Sequence, residues 1–221
     1  MCGRFTVTTP ADVVADIFGV DAAPQLAPRY NVAPTQTVAI VRAGTGRREM
    51  ALARWGLIPF WAKDPAIGNR LINARAETVA EKPAFRAAFR KRRCLVPADG
   101  FYEWQKRDGA KQPYLIHGRD RRPLAMAGLW ESWLGPDDEP LESFTIITTQ
   151  ANGLMKPIHH RMPVILPAAL HDDWLGGGAG DVLVEMLTPC ADDVLIAEPV
   201  STHVNNPRHD DAKCVEPVGE P

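Results

Sequence analysis

Residues 94–104 read CLVPADGFYEW. The apolar run Cys94-Leu95-Val96-Pro97 suits a strand, Ala98-Asp99-Gly100 a turn, and Phe101-Tyr102-Glu103-Trp104 a second strand. Side chains alternate along a strand, so Tyr102 and Trp104 share one face and Phe101 and Glu103 the other. Glu103 therefore lies on the side of an apolar ring. If that side is internal, its carboxyl is a candidate general acid or base; if it faces water, Glu103 is a strand-face charge.

The same short-strand grammar extends to both sides. Strands are expected at 37–41 (TVAIV) and 49–55, joined by a turn at Gly44-Thr45-Gly46, and again at 113–117, 123–130, 143–149 and 194–200. ADVVADIF reads as a short helix with Thr9 as its N-cap, Pro10 at the first helical position and Gly19 as its stop. A second helix, PAFRAAFR, is expected to start at Pro83, and shorter ones at 167–174 and 182–186. Residues 27–36 (APRYNVAPTQ) read as irregular because Pro28 and Pro34 prevent a helix. GPDDEP (135–140) reads as a surface loop and GGGAG (176–180) as a break. No repeat, low-complexity tract or linker divides the chain. The expected fold is a single α+β domain over 1–221, with its core at about 2–207 and a polar tail at 208–221. It is built on a curved, mostly antiparallel, barrel-like sheet with short flanking helices.

Bulk properties exclude several classes. The 221 residues suffice for one sizeable core, and 45% hydrophobic with 24% charged residues is ordinary for a globular protein. No apolar run approaches a membrane span, and the start MCGRFTVTTPADVV has neither signal-peptide nor myristoylation character. Cys2, Cys94, Cys190 and Cys214 lie far apart with no C-x-x-C pair, so neither a zinc site nor a disulfide framework is expected, and the default compartment is reducing and cytoplasmic. The net charge of -2 argues against bulk attraction to nucleic acid. Its distribution is uneven, because residues 70–93 carry eight basic side chains against Glu77 and Glu81. That run reads equally as a phosphate-binding face and as a solvated helix end.

Three further stretches carry chemistry. Loss of Met1 would expose Cys2 with an α-amine and a β-thiol on adjacent carbons. The amine condenses with an aldehyde and the thiol closes on the imine carbon, giving a thiazolidine that no internal cysteine can form. An α-amine titrates near ~7.8, against ~10.4 for lysine, so far more of it is free base at neutral pH. In INARAET, Asn73 and Arg75 alternate and would face the same way on an extended chain, an arrangement suited to oxyanion or phosphate recognition. Phe60 and Trp61 lie in a loop-like stretch where aromatic rings can stack on bases. The pair His159-His160 precedes Arg161 and an apolar strand, and a histidine there could move protons near neutral pH.

Taken together, MCGRF, RYNVAPTQ, RWGLIPFW, INARAET, RCLVPADGFYEW, AGLWE, FTIITTQAN, IHHRMPVIL and PVSTHVNNP resemble the SRAP (SOS-response-associated peptidase) family, the abasic-site processing proteins. The resemblance runs from Cys2 to about Pro207. It implies a fold with a central cleft, and Cys2 as the residue that crosslinks to the ring-opened sugar of an abasic site in single-stranded DNA, shielding the lesion from strand breakage. Asn73, Glu103 and His159 correspond to the family's other active-site residues, His159 rather than His160 by its place in the motif. Arg4, Arg75 and Arg161 would hold flanking phosphates, Phe60 or Trp61 would stack beside the lesion, and Asn31, Arg86, Trp104 and Thr149 complete the DNA-binding set. The resemblance implies no metal and no organic cofactor, a monomer, and DNA at replication forks or single-strand–duplex junctions as partner.

Two other readings compete. An N-terminal Cys-Gly also begins the glutamine amidotransferases whose thiolate attacks an amide, and the family name raises peptidase action on the protein's own Met1, which an ordinary aminopeptidase would also remove. A non-catalytic single-strand binding module would use the same arginines and aromatics but leave Cys2 idle.

Overall fold

The computed structural model describes residues 2–107, 109–136, 138–177 and 180–219. Met1, Asp108, Asp137 of the GPDDEP loop, Gly178 and Ala179 of the GGGAG break, and the last two residues of the tail lie outside these. In chain order the elements are β1 (Phe5–Val7), α1 (Ala11–Phe18), β2 (Arg29–Val32), β3 (Thr37–Ala43), β4 (Arg48–Trp55), β5 (Asn73–Arg75), α2 (Arg86–Lys91), β6 (Arg93–Ala98), β7 (Gly100–Arg107), β8 (Ala110–Gly118), β9 (Leu124–Leu134), β10 (Pro140–Gln150), β11 (Arg161–Pro163), α3 (Gly180–Glu185) and β12 (Leu195–Pro199).

They form two sheets. One closes on itself: β10, β4, β3, β6 and β9 pair in that order and β9 returns to β10. The other is an antiparallel sheet ordered β12-β8-β7-β1-β2. The single α+β domain with a barrel-like, mostly antiparallel core is what the sequence pattern implied. Closing the ring needs one parallel contact, β4 with β10, and β5 then continues parallel along β10.

The turn at 98–100 is where the chain leaves the barrel for the second sheet, since β6 belongs to the first and β7 to the second. Asp99 fixes that crossing. Its carboxylate accepts from the Thr8 and Thr9 backbone N–H groups and from both threonine hydroxyls. Thr9 is thus turned away from α1, and the N-cap position falls to Pro10, which has no side chain to cap with. Gly19 does end the helix, at φ +66°, a conformation that favours glycine.

Neither β1 nor β2 was expected. β1 is three residues long, and β2 lies inside the stretch 27–36, held extended by its pairing with β1 (Phe5 opposite Val32). α2 starts at Arg86 rather than Pro83, because residues 79–85 are spent on turns in which the Lys82 carbonyl collects both the Phe85 and Arg86 N–H groups. The stretch 167–174 splits into a 3-10 turn (Ala168–Leu170) and a π turn (Asp173–Gly177).

Alternation assigns the cores. Phe101 packs with Cys2, Phe5, Trp55, Val96, Phe144 and Met162 between the two sheets. Tyr102 turns the other way, into a smaller cluster with Val200, Val204 and Cys214. A third cluster, around Phe18, Phe89, Leu95 and Trp174, seats the helices on the barrel. Trp55 links the first cluster together, edge-on to Phe5 at 5.0 Å and stacked on Phe144 at 6.3 Å; such pairs contribute about 0.5–1.5 kcal/mol each beyond burial. Its indole N–H donates to Ile72 O (2.9 Å), fixing the residue before Asn73.

Candidate active site

The N-terminal segment runs antiparallel to β7, with Phe5 opposite Phe101 and Tyr102 N–H donating to Arg4 O (2.9 Å). This carries Cys2 back along β7 toward Glu103. Cys2 is fully buried, and Asn73 Nδ2 donates to its carbonyl at 2.7 Å. Asn73 reaches it because β5 is anchored to β10, with Asn73 opposite Ile146. With Nδ2 committed to Cys2, Asn73 Oδ1 is a buried acceptor with no hydrogen-bond donor among the described residues.

Glu103 is 3% exposed, so the internal reading of its strand face holds. Its Oε1 lies 3.9 Å from His159 Nδ1. Burial, and then the neighbouring Glu103 carboxylate, pushes the Cys2 thiol well above the usual range, so the thiol is neutral at physiological pH. The four expected residues thus form one connected group: Asn73 holds Cys2, Cys2 lies in the field of Glu103, and Glu103 approaches His159.

A tight turn presents His159. Asn152 Oδ1 accepts Met155 N–H (3.0 Å), Met155 O accepts His159 N–H (2.8 Å), and Gln105 of β7 donates to Pro157 O (2.9 Å). Nδ1 of His159 lies 3.0 Å from Arg161 N and 3.1 Å from Arg161 O. With its proton on Nε2 the ring accepts from that N–H; with a proton on Nδ1 it donates to the carbonyl. His160 is exposed, its ring 4.3 Å from that of His159, and the charge of His159 holds it below the ordinary histidine range.

The expected DNA contacts divide. Phe60 and Trp61 are 59% and 48% exposed, at the tip of the excursion between β4 and β5. Gly56 and Gly68 meet at its base: Gly56 has φ +120°, and a Cβ there would lie 2.5 Å from Gly68 O. Trp133 Nε1 donates to Ala62 O (2.7 Å) just beyond the aromatic pair. Arg75 is exposed two residues after Asn73, and Trp104 is partly exposed with its indole on Asn205 Oδ1.

The remaining expected contacts are placed as follows. Asn31 is fully buried, and its amide is consumed by Arg4, Val204 O, Asn206 O and His209 O, which leaves nothing for DNA. Arg161 points inward, 9% exposed, bonded to both Glu77 carboxylate oxygens (2.5 and 3.0 Å) and to Thr148 O (2.5 Å). It fixes the strand beside His159 rather than presenting a charge to phosphate. Thr149 is buried on β10. Arg86 is exposed on α2, the helix whose Phe89 packs on Trp174 in the other core. Arg4 is half-buried, with Nη1 committed to Asn31 and Val204 O. The basic run also breaks up: Arg93 is buried against the carbonyls of Phe89, Arg90 and Trp174, and Arg92 pairs with Glu131.

Sequence reasoning missed Glu77, Asp99 and Gln105. Glu77 and Arg161 are 84 positions apart, and no local pattern joins them. A cavity of about 1020 Å³ lined by Phe18, Leu166, His171 and Cys190 takes in none of the four grouped residues.

The sequence profile of SOS response associated peptidases (SRAP) matches residues 1–207. The chain belongs to the SRAP family. Among its relatives, YoaM of Bacillus subtilis, named an abasic site processing protein, is 44% identical over 98% of both chains. The abasic site processing protein HMCES of Gallus gallus is 34% identical over 86% of this chain and 66% of its own. A crystal structure of a Bacteroides thetaiotaomicron protein superimposes with a TM-score of 0.90 at 29% identity, covering 98% of this chain and 100% of that one. The SRAP match contains Cys2, Asn73, Glu103 and His159 and stops before His209. No helix among the described residues is long and apolar enough to cross a membrane.

Proposed function

We propose that this protein processes abasic sites in single-stranded DNA by crosslinking Cys2, freed of Met1, to the ring-opened sugar as a thiazolidine. The observation that carries this reading is the junction of Asn73, Cys2, Glu103 and His159, three elements brought onto one N-terminal cysteine. The relatives' names point to the same lesion.

The chemistry follows from the groups present. An abasic deoxyribose is mostly a closed hemiacetal, and opening it requires proton transfer, a step this reading gives to His159. The Cys2 amine adds to the aldehyde carbon, and the Glu103 carboxylate takes the amine protons in turn and passes them to the oxygen, which leaves as water. Because burial holds the thiol neutral, the amine attacks first. The sulfur then adds to the imine carbon, and the thiol proton ends on the ring nitrogen. The sum is aldehyde plus amine plus thiol giving thiazolidine plus one water. The product has no C=N bond to acidify the neighbouring carbon, so β-elimination of the 3′ phosphate is suppressed. Asn73 Oδ1 is free to accept from the amine or a sugar hydroxyl while Nδ2 holds the Cys2 carbonyl. Arg75 carries the flanking backbone, with Phe60 and Trp61 as stacking platforms.

The amidotransferase reading needs a thiolate as first nucleophile, which burial beside Glu103 opposes. The test is a denaturing gel of processed protein with a labelled single strand holding one abasic site. A slow-migrating, denaturation-resistant band and fewer broken strands are expected, both absent with Cys2→Ala. Strand protection that persists in Cys2→Ala would leave only a binding module and refute the crosslink.

A further inference from the structure

The chain after β12 folds back over the second sheet as a strap, residues 201–215. Its carbonyls hold Arg4 and Asn31, and its Asp210 binds Arg29 and the backbone N–H groups of Tyr30 and Asn31. We propose that His203, Asp211 and Cys214 of this strap form a binding site for a divalent transition metal of the zinc class.

The three side chains offer one nitrogen, one oxygen and one sulfur, all within 4.8 Å of one another. His203 Nε2 and Asp211 Oδ2 are already 3.0 Å apart. Zinc bonds of ~2.0–2.3 Å in a tetrahedron give ligand–ligand edges of roughly 3.3–3.6 Å. The cluster therefore reaches metal geometry by opening the His203–Asp211 pair slightly and drawing the sulfur in by about an ångström. Three protein ligands leave a fourth position for water. The mixed N, O and S set selects a borderline cation over calcium or magnesium, which take oxygen.

Surrounding groups preorganise the site. The His209 ring stacks on His203 at 3.9 Å, and its Nδ1 contacts His203 O (2.9 Å). Cys214 Sγ donates to His209 O at 3.5 Å, and Asp211 Oδ1 caps the turn that carries Cys214 by accepting Lys213 N–H. Asp211 and His203 keep side-chain exposures of 52% and 25%, so a cation can enter from their side, while Cys214 closes the floor. Lys213 and Arg4 oppose a cation, and Asp211 and Asp210 favour it. Binding through sulfur releases the Cys214 thiol proton as the thiolate–metal bond forms. The spacing H-x7-D-x2-C matches no standard zinc pattern, and Asp211 and Cys214 lie beyond the family match. A bound metal would pin the strap that holds Arg4, two residues from Cys2.

The experiment uses the full chain in a Cys2→Ala background, stripped with a chelator and titrated with Co2+ by absorption and Zn2+ by calorimetry. The expected result is one equivalent, tetrahedral cobalt bands with a thiolate charge-transfer band, release of a proton, and a higher Tm with zinc. Cys214→Ser should remove the thiolate band. His203→Ala and Asp211→Asn, at a partly exposed and an exposed position on the strap, should each weaken affinity by at least the roughly 10–100-fold that loss of a mere supporting partner costs. No thiolate band up to millimolar cobalt, or a band unchanged in all three variants, would overturn the proposal.

Discussion

Asn73→Ala tests how the N-terminus is held. The substitution deletes the 2.7 Å hydrogen bond to Cys2 O and leaves that carbonyl, on a fully buried residue, without its amide donor. A buried polar group deprived of its partner costs about 1–3 kcal/mol. If the same bond orients the amine at the transition state, that loss lowers the single-turnover crosslinking rate by roughly 5- to 150-fold. Stability should fall in parallel, by about 2–4 °C in Tm per kcal/mol for a chain of this size. Asn73→Asp should be at least as slow, because a carboxylate cannot donate to Cys2 O and sets a negative charge against that carbonyl oxygen. The assay is a rapid-quench time course with excess protein over an abasic single strand, paired with thermal melts. An Asn73→Ala protein that crosslinks at the wild-type rate with an unchanged Tm would refute the reasoning.

Phe60→Ala and Trp61→Ala should each weaken single-strand binding by about 1–3 kcal/mol per lost stack, measured by fluorescence anisotropy, with little change in Tm because both rings are exposed; unchanged affinity in the double variant contradicts the stacking role. Gly56→Ala should cost on the order of 1–3 kcal/mol, since φ is +120° and the new Cβ meets Gly68 O at 2.5 Å; urea melts would show it, and a neutral substitution would not fit. Arg161, bonded to the Glu77 carboxylate, holds Glu77 below the usual carboxylate range. Its stabilisation is therefore complete above the unfolded value of ~4.3 and lost as pH falls through the lowered folded value. Wild type and Glu77→Gln should differ by about 1 kcal/mol or less near neutrality, Glu77 being 44% exposed, and converge below about pH 4; curves that stay parallel across that range speak against the pair.

The sequence was most legible where period decided. Alternation along FYEW put Phe101 and Glu103 on one side and Tyr102 and Trp104 on the other, and the structure sorts them so. The hairpin of β3 and β4 was readable from apolar runs around a glycine turn. β1 and β2 were not, because they are three and four residues long, and the prolines around β2 argued against order that only pairing supplies. Side-chain ownership was the other blind spot. Thr9 has the chemistry of a cap but serves Asp99, Asn31 has that of a DNA contact but ties down the strap, and Arg161 resembles a phosphate ligand but answers to Glu77. Each was reassigned by a partner distant in sequence, which local pattern cannot reveal. The candidate group was named as residues, through Cys2 and the motif blocks, but its connection through Asn73 Nδ2 and the burial of Glu103 needed coordinates.

The most direct test of the account is an intact mass. Protein lacking Met1 is incubated with a single-stranded oligonucleotide carrying one abasic site, denatured, and weighed beside Cys2→Ala and an undamaged strand. The account predicts a species at the sum of the two masses less one water, absent from both controls, with the added mass located on Cys2 after digestion. Unmodified protein and free DNA, with Met1 verified as absent, would contradict it.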